Sequence, residues 1–105
     1  MNTNHIVVMT TFSKEETGNK LVDELLSKGL AACIQAFPVK SCYTWKGSVN
    51  KDSETLLFIK TKAKLFEEVQ KTILQLHDYE TPEIISVPVL GGSKTYLDWI
   101  DSVTK

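Results

Sequence analysis

The stretch Leu30–Lys60, LAACIQAFPVKSCYTWKGSVNKDSETLLFIK, restricts the possible folds of this chain more than any other. Apolar and β-branched residues fill both halves, with Trp45-Lys46-Gly47 between them as a turn, which predicts two long strands joined as a hairpin. Each arm is about 14 residues, or about 45 Å if straight. A compact domain of this chain length has a radius of gyration of only roughly 13 Å. Either the hairpin bends back at Pro38, or its far half pairs with another copy of the chain. The second reading is preferred. LAACIQAF and TLLFI carry apolar residues on both faces, so the side of the sheet away from the helices also needs cover.

Around the hairpin the pattern is regular. HIVVMTT (5–11) reads as a central strand. Ser13 and Glu16 have capping-box spacing, and the helix they open carries Leu21, Val22, Leu25 and Leu26 on one face and closes at Gly29. Pro38 marks an edge or a bulge, and the polar run Ser48–Glu54 leaves the start of the returning arm exposed. A second helix is expected over Lys64–Leu76 on Phe66, Val69, Ile73 and Leu76, although Lys62 and Lys64 at its start have the wrong sign for a helix dipole. Residues 77–83 form a loop ahead of a strand over 84–90. Ser93 then caps a last helix with Tyr96, Trp99, Ile100 and Val103 as its apolar stripe. The order predicts an α+β, ferredoxin-like βαββαβ arrangement with an additional C-terminal helix.

The chain has 105 residues, read as one domain over 1–105, and 12 basic against 13 acidic side chains. That balance argues against nucleic-acid binding, and no apolar run reaches the roughly 20 residues of a membrane helix. MNTNHIVVMTTFS has no charged segment followed by a long apolar one, so no signal peptide and a cytoplasmic location are expected. Cys33 and Cys42, nine apart on one strand, would be roughly 30 Å from each other, too far for a disulfide. They read as small buried hydrophobes in a reducing compartment, with a metal-ligand role for Cys33 as the alternative.

LLSKGLAACIQAFP, SCYTWKGSV, TLLFIKT, LHDYETPEIISVPV and YLDWI together resemble the CutA family of divalent-cation tolerance proteins over nearly the whole chain. The resemblance implies a tight homotrimer joined through the long hairpins, an assembly similar to that of the PII signalling proteins. It also implies copper binding and a part in metal-ion tolerance. Some members have a copper site formed by a cysteine near the end of the first strand and adjacent histidines before the Y-x-x-P loop. The matching positions here are Met9 and Leu76-His77, which leaves one thioether and one imidazole.

His77, Met9 and Cys33 are therefore the candidate metal ligands. Trp45, Lys60, Tyr79, Glu80 and Glu83 are expected to line a cleft between subunits. Each has a plainer role available: His77 as the positive end-group of a helix, Tyr79 and Trp45 as packing residues, and the glutamates as a solvated turn. C-x-x-C and H-x-x-x-H spacings, a nucleophile elbow and a phosphate-binding glycine loop are missing from the sequence, so an enzyme is the weaker reading. The preferred function is a trimeric protein that binds copper or another divalent ion. The alternative is a PII-like signalling or interaction module taking a small ligand in the cleft between subunits.

Overall fold

A computed structural model describes residues 4–105, so the first residues of the segment from which a leader was judged lie outside the described range. The elements run β1 (His5–Phe12), α1 (Glu15–Ser27), β2 (Cys33–Trp45), β3 (Ser48–Lys62), a 3-10 turn (Ala63–Leu65), α2 (Phe66–Leu76), β4 (Ile85–Pro88) and α3 (Lys94–Val103). The four strands form one antiparallel sheet in the order β2-β3-β1-β4. This is the expected ferredoxin-like α+β arrangement with its extra C-terminal helix.

Strand alternation sorts the sheet into two faces. Val8, Leu57 and Ile59 point toward the helices and are fully buried with Leu21 and Leu25 of α1 and Val69 and Ile73 of α2. Burying such side chains contributes roughly 1.5–3 kcal/mol each. Phe12 crosses under α1 at Gly18, where a Cβ would lie 2.2 Å from the Phe12 ring. The glycine makes room for the aromatic.

On the opposite face, Ile85, Met9, Phe58 and Gln35 form one row, and Val87, Val7, Lys60 and Cys33 the next. This face is not wholly bare, as the sequence reading had it. α3 covers one end: His5 Nε2 lies 2.8 Å from Asp101 Oδ1, and Lys60 Nζ lies 3.4 Å from the Tyr96 hydroxyl. His5 is buried, with its ring against Asp101. Only Ile100 of the α3 stripe is buried, while Tyr96, Trp99 and Val103 remain open, as do Ile85 and Val87 of β4.

The hairpin is as long as expected. β2 pairs with β3 from Cys33↔Lys60 to Trp45↔Ser48, and the molecule measures 44 × 27 × 22 Å. Lys46 and Gly47 both have positive φ, 51° and 80°, the geometry of a two-residue type I′ turn. Pro38 lies in β2 at the sheet edge, where its missing N–H costs no ladder bond.

Three local expectations change. The N-cap of α1 is Lys14, with no side-chain cap, because Ser13 turns instead to Tyr79; the Ser13–Glu16 capping box does not form. α2 begins at Phe66 with Glu67 and Glu68 in its first turn, so Lys62 and Lys64 precede the α-helix and the conflict with the dipole disappears. β4 is four residues long, shorter than the apolar run around it, although Val89 N–H still donates to His5 O beyond Pro88. At the C-terminus of α1, Gly29 (φ 66°) donates to Leu26 O and Leu30 to Leu25 O, the paired bonds of a Schellman motif.

Candidate functional site

Between the far half of the hairpin and the loop after α2 lies an open cavity of about 850 Å³. β3 presents Asp52 and Glu54 on one face, two residues apart, and β2 presents Tyr43 and Trp45 alongside. The loop closes the other side with Tyr79, Glu80 and Glu83, and Thr11 of β1 lies against it as a buried member of the lining.

The loop is fixed by a chain of hydrogen bonds. Tyr79 donates its hydroxyl to Glu54 Oε2 at 2.6 Å, and Ser13 Oγ lies 2.9 Å from the same phenol oxygen, placed to donate back to it. Burial, reinforced by the bond to Glu54, pushes the Tyr79 pKa up to about 12. Tyr43 likewise donates to Asp52, and that bond raises the Tyr43 pKa above the usual phenol value. One residue before Tyr79, Thr17 donates to Asp78 Oδ1 at 2.8 Å and holds the Asp78 pKa below the ordinary carboxylate value.

His77 is the anchor. Its side chain is fully buried. Nε2 lies 2.7 Å from Thr11 O, a carbonyl that can only accept, so Nε2 carries the proton. Nδ1 then accepts the Tyr79 backbone N–H at 3.1 Å. Both ring nitrogens are engaged.

The expected cleft residues Trp45, Tyr79, Glu80 and Glu83 meet around this single cavity. Lys60 is not with them: its ammonium lies over the Tyr96 ring at 5.5 Å. The expected metal ligands are not brought together within the chain. His77 has no free lone pair, Met9 faces Phe58 and Ile85 across the sheet, and Cys33 lies on β2 with β3 between it and β1. Among the described residues, no three His, Cys, Asp or Glu side chains are close enough to hold one ion. Within one chain, His77, Met9 and Cys33 therefore do not meet at a common point.

Sequence reasoning missed Thr11, Ser13, Tyr43, Asp52 and Glu54. The alternations Tyr43-x-Trp45 on β2 and Asp52-x-Glu54 on β3 were a usable signal, because the hairpin register places both pairs on one face of the sheet.

The fold and cavity define a ferredoxin-like α+β protein with an acidic groove beneath a long hairpin. Residues 6–103 match the model of the CutA1 divalent ion tolerance protein family, and the chain belongs to that family. A chloroplastic CutA protein of Arabidopsis thaliana is 41% identical over 101 residues, covering 95% of this chain and 56% of that relative. The divalent-cation tolerance protein CutA of Archaeoglobus fulgidus is 35% identical, covering 96% of this chain and 99% of the other. The chain thus spans little more than half of the plant relatives and nearly all of the archaeal one. Its fold superposes on the A. fulgidus structure, described as a periplasmic divalent cation tolerance protein, with a TM-score of 0.93 and coverage of 96% and 99% of the two chains. The Thermus thermophilus protein gives 0.92 at 35% identity, covering 96% of this chain and 99% of that one.

These relatives correct the expected cytoplasmic location, because chloroplastic and periplasmic members carry the same fold. The family is named for tolerance of divalent ions and not for a catalysed reaction. Among the described residues, no helix is long and apolar enough to cross a membrane.

Proposed function

We propose that this chain acts in divalent-cation tolerance as a homotrimer that binds copper or another divalent ion in the groove beneath its hairpin. The observation that carries the reading is the sign of the groove. Asp52, Glu54, Glu80 and Glu83 line it with the Cys42 thiol, and no lysine is among the lining residues. Such a surface concentrates cations. Its ligands do not converge on one point in a single chain, so a complete coordination shell draws on a neighbouring copy. The exposed Phe37, Ile85, Val87 and Trp99, together with the open edge of β2, give three copies a reason to associate.

Light scattering combined with calorimetric titration of Cu(I), Cu(II) and Zn(II) tests both parts. The expected particle has three times the 11.8 kDa of one chain and binds metal saturably. Glu80→Gln with Glu83→Gln weakens that binding. A stable single-chain particle removes the trimer, and titration heats no larger than those of an unrelated acidic protein remove the metal.

A further inference from the structure

Both cysteines of the hairpin stand across from a lysine. The register of β2 against β3 sets Cys33 directly opposite Lys60 and Cys42 directly opposite Lys51. Directly opposed residues of an antiparallel pair have Cα atoms about 4.5–5.5 Å apart, and their side chains leave the same face of the sheet. Each pair therefore sets a thiol beside a flexible stem that ends in an amine, two nucleophiles within reach of one reagent.

The two pairs differ in what else holds them. Cys33 is half-buried, and Lys60 is engaged by α3, its Nζ 3.4 Å from the Tyr96 hydroxyl and 5.5 Å from the centre of that ring. Cys42, expected as a small buried hydrophobe, is exposed, and so is Lys51. Among the described residues, the Lys51 side chain has neither an ion pair nor a hydrogen bond. Its amine is free to swing over the Cys42 sulfur, and both atoms are open to a reagent.

We propose that Cys42 and Lys51 form an acyl-relay modification site, at which Cys42 takes an acyl group from a small thioester and passes it to Lys51. The Cys42 thiolate adds to the thioester carbonyl and the carrier's C–S bond breaks. The carrier leaves as a thiolate and takes a proton from water. Lys51, having given one proton to water, then adds through Nζ to the carbonyl of acyl-Cys42. That second C–S bond breaks, the nitrogen loses its remaining surplus proton, and the Cys42 thiolate is regenerated. The sum converts thioester and lysine ammonium into amide, carrier thiol and one proton, with no oxidant or reductant. Because the second step lies within one molecule, it gains over acylation of a lysine that has no thiol beside it. An uncharged carrier suits the site, since Asp52 and Glu54 on the same hairpin repel anionic donors. The product removes one positive charge from the hairpin. The relay needs neither a metal nor a second copy of the chain.

The test treats the full chain in its native assembly with S-acetyl-N-acetylcysteamine, an uncharged acetyl thioester, and locates the acetyl groups by peptide mass spectrometry. Lys51 is expected to be acetylated about tenfold faster than Lys71, an exposed helix lysine with no cysteine beside it. Cys42→Ser, at an exposed strand position, brings Lys51 down to the Lys71 rate. In Lys51→Gln the acetyl group stays on Cys42 as a thioester that hydroxylamine removes. Lys60 stays unmodified beside Cys33. A second readout is o-phthalaldehyde, which closes a fluorescent isoindole from one thiol and one amine in reach of each other. Its fluorescence is expected at Cys42–Lys51 and disappears in either variant. An unchanged Lys51 rate in Cys42→Ser, no acetyl transfer to Lys51 in the parent protein, or equal transfer at Cys33–Lys60 overturns the proposal.

Discussion

Tyr79 and Glu54 share a hydrogen bond of 2.6 Å that ties the loop after α2 to the middle of β3, across 25 residues of chain. Both residues line the groove, so the bond that fixes the loop also sets the position of a carboxylate.

That bond has an alkaline signature. The folded-state pKa of Tyr79, about 12, lies above the ordinary phenol value. A raised pKa contributes stability that is complete below the unfolded value, roughly 10, and lost as pH rises through the folded one. Chemical denaturation between pH 9.5 and about 12 should show this loss. Glu54→Leu should reduce it in part, because burial is the larger cause, and tyrosinate absorbance should then show one phenol titrating earlier.

The acid side is governed one residue away. Thr17 donates to Asp78 and lowers its pKa, so this contribution is present above the unfolded carboxylate pKa and disappears as pH falls through the folded one. Thr17→Val should reduce the steepness of acid destabilisation while leaving stability above pH 9 little affected beyond the lost hydrogen bond, about 1 kcal/mol.

His77→Ala separates structure from metal binding. The ring is fully buried with both nitrogens bonded, so its removal leaves a cavity and an unpartnered Thr11 carbonyl, costing about 3 kcal/mol in urea denaturation. Because neither nitrogen is free, metal stoichiometry of the folded variant should match that of the parent. A selective loss of copper binding with unchanged stability would reassign His77 as a ligand.

Gly18→Ala tests the packing of β1 against α1. A methyl group there meets the Phe12 ring at 2.2 Å, and both residues belong to tightly packed elements. The expected loss is about 1–3 kcal/mol, whatever alanine gains in helix propensity. Adding Phe12→Leu should recover part of it, read from the same denaturation midpoint.

Where side chains repeat with a clear period, the fold was legible before any coordinates. Leu21 and Leu25, Val69 and Ile73, and Leu57 and Ile59 each declared a buried face, and Trp45-Lys46-Gly47 declared the turn. The capping box failed because Ser13 had a competing partner, Tyr79, 66 residues away, which no local spacing reveals. The groove was half legible. Tyr79, Glu80 and Glu83 are adjacent in sequence, whereas Asp52 and Glu54 join them only through the register of the hairpin. His77 looked like a ligand because its type and position are those of one. Only the carbonyl of Thr11 and the amide of Tyr79 show that its nitrogens are already used.

Pro38 lies within the outer strand of the sheet and removes one backbone donor between Cys33–Phe37 and Val39–Trp45. An added strand cannot zip along the full edge, since one position offers no donor and bends the line of the others. Endless stacking of copies into a fibre is thereby disfavoured at the covalent level, while a closed ring that engages one run at a time stays permitted.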